Sequence, residues 1–373
     1  MNATAAPLPP TRCAHCALPP ASDLAWRCDC GGPFEYDWRP TFDPARIVQA
    51  DWSQWRYGHL FMPPGVPAAL WTSLGEGMTP LVTLEWQGHP LAVKLDFLMP
   101  TASYKDRGTS TLVSVLRAQG HRRVVEDSSG NAGASLAAYA AHAGIEATIF
   151  VPADAATGKK RQIATFGATL EEIYGPRQAT SDACHAAARD RIYASHAWHP
   201  AFLLGQMAAA WELWERGTLP EAILMPVGQG GMLLGYFRGL QALREAALIP
   251  RLPRLITVQS EACDPVVVAW ERGHTDVEPV ETGETVAAGI RIRQPARGRE
   301  ILRALRESNG LALRVSDEEI RRSHRALARR GLFVERTSAV PVAALPQVQL
   351  ALGEKAELMV PLSGSGLKEE QAG

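Results

Sequence analysis

One lysine, two loops of small polar residues and a cluster of thiols are the parts of this sequence whose types and spacing suit chemistry. Lys105 stands in Leu98-Met99-Pro100-Thr101-Ala102-Ser103-Tyr104-Lys105-Asp106-Arg107-Gly108, between a proline turn and a charged pair. Pro100 disfavours helix at Met99, Ser103 is a capping type, and Leu112, Val115, Leu116 and Gln119 share a face before Gly120. The spacing therefore predicts a helix over 105–119. Lys105 falls in its first turn, where the positive end of the helix dipole disfavours an ammonium. A lysine that gives up its proton readily is a nucleophile for an aldehyde, so Schiff-base chemistry is the class to consider.

Two loops suit the remaining parts of such a site. Glu126-Asp127-Ser128-Ser129-Gly130-Asn131-Ala132-Gly133 follows Val124-Val125 and opens an alanine-rich stretch. N–H groups and hydroxyls at Ser128, Ser129 and Gly130 suit a carboxylate, and the amide of Asn131 suits a ring oxygen; a plain capped turn is the alternative. Gly228-Gln229-Gly230-Gly231 follows an apolar run and again opens a helical stretch. Its glycines let the backbone close on a phosphate, but its spacing is neither the dinucleotide nor the Walker fingerprint, so a smaller phosphorylated group fits better.

The elements that must position these loops alternate. Short apolar runs at 124–125, 147–151, 169–173, 223–227 and 255–258 read as strands, and 131–143, 158–166, 179–190, 206–216 and 233–244 as helices. That is the rhythm of a parallel sheet covered by helices, with ligands at the carboxyl ends of the strands. With 373 residues and 46% hydrophobic content the chain can bury a large core in two lobes. A formal charge of -1 gives no electrostatic reason to expect nucleic acid or an anionic membrane. Residues 1–10 have no basic region followed by an apolar core, and the longest apolar stretch is broken by His142 and Glu146, so the chain reads as cytoplasmic with no membrane span.

Four of the six cysteines form Cys13-x-x-Cys16 and Cys28-x-Cys30, ahead of Gly31-Gly32-Pro33. Such spacing reads as a small zinc knuckle closing a segment too short to fold alone, or else as a reduced leader whose thiols do nothing. The expected organisation is a flexible terminus at 1–10, a Cys-rich knuckle at 11–38, an aromatic linker segment at 39–70, a catalytic body at 71–366 and a tail at 367–373. Within the body, about 105–205 is expected to form the smaller lobe. Trp52, Trp55, Tyr57 and Phe61, with Trp38 just ahead of them, give the linker an apolar surface for packing.

Taken together, Pro100 to Gly108, Ser128 to Ala134 and Gly228 to Gly231 resemble the lysine motif, the S-S-G-N-A-G stretch and the phosphate loop of the fold type II pyridoxal-phosphate enzymes, threonine synthases above all. Gly75 to Leu81, Val258 to Glu261, Thr285 to Arg293 and Leu362 to Lys368 match further motifs, in the family's order over roughly 71–368. The resemblance implies a two-lobed, three-layer α/β fold of the tryptophan synthase beta type. It implies that Lys105 forms the Schiff base with pyridoxal 5'-phosphate and that Asn131 lies beside the ring hydroxyl. Gly228, Gln229, Gly230 and Gly231 would cradle the phosphate, with Ser363 beside the pyridine nitrogen. A hydroxyl there does not enforce a protonated ring, which suits elimination more than transamination. The partners implied are a small amino acid and a second copy in a homodimer.

The family's arginine for the substrate phosphate falls within His199-Pro200-Ala201-Phe202-Leu203-Leu204-Gly205-Gln206, where this chain has Phe202. A phenyl ring cannot imitate a bidentate anion clamp, while His199 keeps a hydrogen-bonding group for substrate. The expected activity is a carbon–oxygen lyase that removes a β or γ substituent, with O-phosphohomoserine to threonine as the family reading. A threonine, serine or diaminopropionate ammonia-lyase is the alternative, and a non-catalytic cofactor- or metabolite-binding regulator is the alternative of another class. Restoring arginine at position 202 is expected to raise use of the phosphorylated substrate if the missing clamp is what excludes it.

Overall fold

The computed structural model describes residues 7–155 and 157–369, so parts of the expected flexible terminus and tail, 1–6 and 370–373, lie outside the described residues. In chain order the strands are β1 (Thr11–Cys13), β2 (Phe34–Tyr36), β3 (Leu81–Trp86), β4 (His89–Lys94), β5 (Arg123–Glu126), β6 (Glu146–Pro152), β7 (Thr169–Ile173), β8 (Ile192–Tyr193), β9 (Ala222–Pro226), β10 (Arg254–Ser260), β11 (Leu311–Val315) and β12 (Leu358–Pro361). Contacts gather the chain into two compact units: the described residues of 1–77, 105–208 and 368–373, and those of 78–104 and 209–367.

The first unit is built on a four-stranded sheet in the order β7-β6-β5-β8, parallel throughout. Val124 and Val125 of β5 and Ile149 and Val151 of β6 are buried, as expected of strands covered on both faces. Its helices include the Lys105 helix (Lys105–Ala118), the Asn131 helix (Asn131–Ala143) and the Pro200 helix (Pro200–Gln206). The Lys105 helix buries almost all of its length, and Leu112, Val115 and Leu116 form its apolar face. Ser103 does not cap it: its Oγ is buried without a hydrogen-bond partner among the described residues, and its backbone bridges to Gly364 instead. The helix expected over 206–216 is divided at Met207 into the Pro200 helix and Ala208–Glu215. The cause is an earlier start, with Pro200 in the first turn and His199 as the cap.

The thiol-rich leader is an antiparallel ribbon of β1 and β2 with Cys13, Cys28 and Phe34 at its centre. The aromatic segment after it folds as short helical turns that bury Trp55, Tyr57, Leu60 and Phe61, leaving Trp52 exposed. Buried Glu76 anchors this segment, accepting from the Trp55 indole at 2.6 Å, the Tyr139 hydroxyl at 2.8 Å and the Leu74 N–H at 2.9 Å.

The second unit holds a six-stranded sheet in the order β11-β10-β9-β12-β4-β3. All its pairs are parallel except the β3–β4 hairpin, which turns at Gln87-Gly88 with both residues at positive φ. Leu91, Val93, Leu224, Ile256, Val258, Val340 and Val360 are among the apolar residues of its core. Beneath them Lys94, fully buried, pairs with Glu212 at 2.5 Å and donates to Thr79 Oγ1 at 2.7 Å. Parallel-rich sheets covered by helices are the α/β class that the sequence predicts. No described helix is long and apolar enough to cross a membrane.

Candidate active site

In the first unit Lys105 is the opening residue of its helix and is partly buried. The next residue, Asp106, is fully buried and accepts from Ser135 Oγ at 2.6 Å, which ties the start of the Lys105 helix to the Asn131 helix. Gln54 Nε2 donates to the Arg107 carbonyl at 2.9 Å from the aromatic segment. The lysine is thus held at a fixed point by its neighbours along the chain.

Strand β5 ends at Glu126 and the chain turns through Ser128, Ser129 and Gly130, all partly accessible, into the Asn131 helix. The N-cap residue of that helix is Gly130, which has no side chain to cap it, so the start of this helix suits an anion. The turn is tight: a Cβ at Gly133 would stand 1.9 Å from the Ser128 carbonyl, which admits only glycine. Ser128 Oγ accepts from the Gly130 N–H at 3.3 Å, and Asn131 Oδ1 accepts from Lys368 Nζ at 3.1 Å.

His199 accepts from the Ala201 N–H at 3.2 Å through Nδ1, so this candidate for substrate binding also serves as a helix cap. Phe202 is fully buried, pressed on Gly108 of the Lys105 helix, and meets His196 edge to face at 6.0 Å. It is a packing residue and not the wall of an open anion pocket.

Glu126, which ends β5, and Asp127, which follows it, were not singled out from the sequence, although a pair of carboxylates running from an apolar strand into a glycine turn is the signal to seek. Glu126 Oε1 lies 2.7 Å from His196 Nδ1. Burial holds the Glu126 carboxyl well above its ordinary range, with Asp127 adding to the effect against Arg177 and Lys105. His196 is pushed down to about 3, by burial first and then by the charge of Lys105, so its ring is neutral near pH 7. Asp127 accepts from Ser181 Oγ and the Tyr193 hydroxyl at 2.6 Å each and from Arg177 at 3.0 Å. Burial opposes its ionisation, but Arg177 and these donors outweigh burial and hold it below the usual range. Trp26 of the leader stacks on His185 and meets Tyr193 and Trp198 edge on.

In the second unit, β9 ends at Pro226 and Gly228 to Gly231 lead into the Gly231 helix (Gly231–Glu245), again with no side-chain cap. Gly230 has φ +81°, and a Cβ there would meet Ile301 Cδ1 at 2.4 Å. Gln229 Oε1 accepts from the Ala296 N–H at 3.0 Å, so the side chain is engaged within the fold and the loop's backbone is what it can offer a ligand. An uncapped, glycine-lined start of a 15-residue helix is a cradle that fits a phosphate. Ser363 is buried with its Oγ 3.0 Å from Ser338 Oγ and 3.3 Å from Glu335 Oε1, a carboxylate the sequence did not point to. The Ser363 carbonyl accepts from the Tyr104 N–H at 2.9 Å, and Tyr104 immediately precedes Lys105.

The four leader thiols converge. Cys13 and Cys30 lie 3.4 Å apart, Cys16 and Cys28 3.5 Å, and all four Sγ atoms fall within 4.8 Å of one another.

Comparison with known proteins places this geometry. A family described as pyridoxal-phosphate dependent enzyme matches residues 72–364. A threonine synthase of Methanocaldococcus jannaschii is 31% identical, covering 97% of this chain and 93% of that protein. One of Mycobacterium bovis is 34% identical over 82% of this chain and 89% of its own length. Among solved structures, a threonine deaminase from T.th. superposes with a TM-score of 0.67 at 27% identity, covering 79% of this chain and 94% of that one. An L-serine ammonia-lyase from Rhizomucor miehei shares the fold, with a TM-score of 0.68 at 22% identity, over 78% of this chain and 94% of that one.

Proposed function

Because the chain belongs to the pyridoxal-phosphate dependent enzyme family and is a lyase of its threonine synthase group, we propose that it removes a β or γ substituent from a small amino acid, with Lys105 as the catalytic residue. Pyridoxal 5'-phosphate, when bound, supplies the aldehyde for Lys105 and the electron sink for the α-carbon. In this reading Gly228, Gln229, Gly230 and Gly231 hold its phosphate by backbone N–H groups, Asn131 faces the ring hydroxyl and Ser363 the pyridine nitrogen. Ser128, Ser129 and Gly130 bind the substrate carboxylate at the open start of the Asn131 helix. Lys105 Nζ takes the α-proton and returns it, working from a helix start that the Ser135 hydroxyl fixes by donating to Asp106. His199, which caps the Pro200 helix through Nδ1, is a substrate-binding residue in this reading.

The observation that carries the reading is the uncapped, glycine-lined start of the Gly231 helix. Synthesis of threonine is what the named relatives support, with O-phosphohomoserine as the substrate that the sequence resemblance implies. Deamination of threonine, serine or diaminopropionate is the second reading, and it is favoured by a packed, buried phenylalanine at 202, where the resembled family has the arginine for the substrate phosphate. The test is a titration with pyridoxal phosphate, read by absorbance, followed by a product screen for phosphate, ammonia and oxo acid. Cofactor uptake without any product would leave a regulatory binding protein instead.

The reading extends to a structural zinc at Cys13, Cys16, Cys28 and Cys30, which closes the leader as a unit of its own over 11–38. A tetrahedral site with Zn–S near 2.3 Å requires sulfurs about 3.8 Å apart, and the two measured Sγ separations lie within 0.4 Å of that. Thiols kept for metal suit a reducing compartment, hence the cytoplasm. A homodimer is the assembly this reading carries.

A further inference from the structure

We propose that Glu126 and His196 receive the leaving substituent of the substrate, and that this substituent is a hydrogen-bond donor, a hydroxyl or an amine, and not a phosphate monoester. The inference rests on the lyase reading above and narrows its substrate class.

The two residues are seventy positions apart in the chain and meet through the sheet. Glu126 ends β5; His196 follows β8, the parallel neighbour of β5, in which Val125 is paired with Tyr193. Both therefore lie at the carboxyl edge of adjacent parallel strands, where α/β sheets bind ligands. Glu126 is also two residues before Ser128, where the substrate carboxylate is placed. Lys105 bears electrostatically on both side chains, which puts the pair within reach of its charge.

Their hydrogen bonding is incomplete. Glu126 Oε1 is joined to His196 Nδ1 at 2.7 Å, but Glu126 Oε2 is buried with no partner among the described residues, in a side chain only 1% accessible. A buried carboxyl oxygen left unpaired is costly, and a ligand that donates a hydrogen relieves the cost. His196 keeps 20% of its side chain accessible, so the ring is the exposed end of the pair and Glu126 its buried support.

The chemistry of the wall selects against phosphate. A neutral imidazole backed by a carboxyl group offers no cation of its own, and Phe202, packed fully buried behind the ring, adds none. The guanidinium of Arg177 is held by the carboxylate and carbonyl of Asp127. A phosphate dianion set here would lie near the Asp127 carboxylate and find no donor prepared for it, whereas a hydroxyl or amine finds an acceptor in Glu126 Oε2.

The test uses the cofactor-loaded enzyme in rapid mixing, where the absorbance change before turnover gives a dissociation constant. L-threonine, L-serine and L-2,3-diaminopropionate are compared with O-phospho-L-homoserine, in wild type and in Glu126→Gln and His196→Asn. Wild type is expected to bind at least one hydroxyl or amine substrate ten or more times more tightly than the phosphorylated one. Glu126→Gln is expected to shrink that ratio to threefold or less, mainly by weaker binding of the hydroxyl or amine substrate, because the amide NH2 competes for the place of the accepting Oε2. Tightest binding of phosphohomoserine by wild type overturns the inference. So does an unchanged ratio in Glu126→Gln at wild-type Tm, and if that variant unfolds, an unchanged ratio in His196→Asn does the same. Cofactor uptake, read in the same cuvette, separates the two levels: no uptake sinks the lyase reading, whereas uptake with an unchanged ratio sinks only this one.

Discussion

Phe202→Arg is the substitution that the sequence alone recommends for restoring use of a phosphorylated substrate, and the structure gives the opposite expectation. Phe202 is fully buried, and its ring carbons Cδ2 and Cε2 come within 2.6 and 2.7 Å of the point where a Cβ on Gly108 would stand. Removing a buried phenylalanine costs about 3–5 kcal/mol, of which the arginine methylenes recover part. Burying a guanidinium without a prepared partner costs several kcal/mol more. The net is roughly 4–6 kcal/mol, against a total stability of about 5–15 kcal/mol for a typical domain. Equilibrium urea unfolding of the cofactor-loaded enzyme measures it, with Phe202→Leu as the control at about 1–1.5 kcal/mol. The expected result is a large fall in the Phe202→Arg midpoint, with no gain in phosphohomoserine turnover. A variant with the wild-type midpoint that turns over phosphohomoserine faster would refute the packing argument and show that position 202 opens to ligand.

Lys105→Ala is expected to abolish both the cofactor absorbance and the borohydride-reducible adduct; an adduct that persists would identify another lysine. Gly230→Ala places an L side chain at φ +81° and against Ile301, at about 1–2 kcal/mol for the backbone alone, so cofactor affinity is expected to fall tenfold or more; an unchanged dissociation constant would remove the loop from the cofactor site. Purified protein is expected to carry one zinc per chain, and its loss in Cys16→Ser should open the leader to trypsin, while metal-free wild type with an intact leader would dismiss the knuckle. The Asp127 carboxylate, held low in the fold by Arg177, Ser181 and Tyr193 against burial, contributes stability that is fully present above the ordinary carboxylate range and is lost as pH falls through its lowered value. Acid unfolding of Asp127→Asn should therefore be shallower than that of wild type below about pH 4, and identical slopes would contradict the assignment.

What was legible in the sequence is what local rules decide. The Lys105 helix ends one residue before the expected stop, the strand Thr169–Ile173 falls where its apolar run places it, and the Asn131 helix ends at Gly144 in the left-handed conformation that glycine permits. The two-residue strand β8 was not legible, because two residues carry no periodicity and it exists only by pairing with β5. His196 was lost with it, since its role follows from which strand lies beside β5. The start of the Pro200 helix was hidden for a related reason: the proline and its histidine cap mark the beginning, yet the longer apolar run starts later and drew the boundary to Gln206.

Ser363 shows why a residue taken from a motif is only half read. Its type establishes a hydroxyl, and a hydroxyl has one proton to give. Whether it donates or accepts toward a bound group depends on the neighbours that compete for that proton, and those are Ser338 at 3.0 Å and Glu335 at 3.3 Å. With the proton directed to Glu335, the oxygen of Ser363 turns its lone pairs outward and acts as an acceptor. With the Ser338 hydroxyl donating to it instead, Ser363 is left to donate. Glu335 lies 28 positions upstream, and the Gly364 carbonyl, accepting from the Glu335 N–H at 2.9 Å, draws it in. The glycine at 364 leaves the space that the Glu335 carboxyl occupies, since a Cβ there would stand 2.4 Å from it. The polarity of the site is therefore set by a backbone contact and a missing side chain, neither of which a motif match at Ser363 contains.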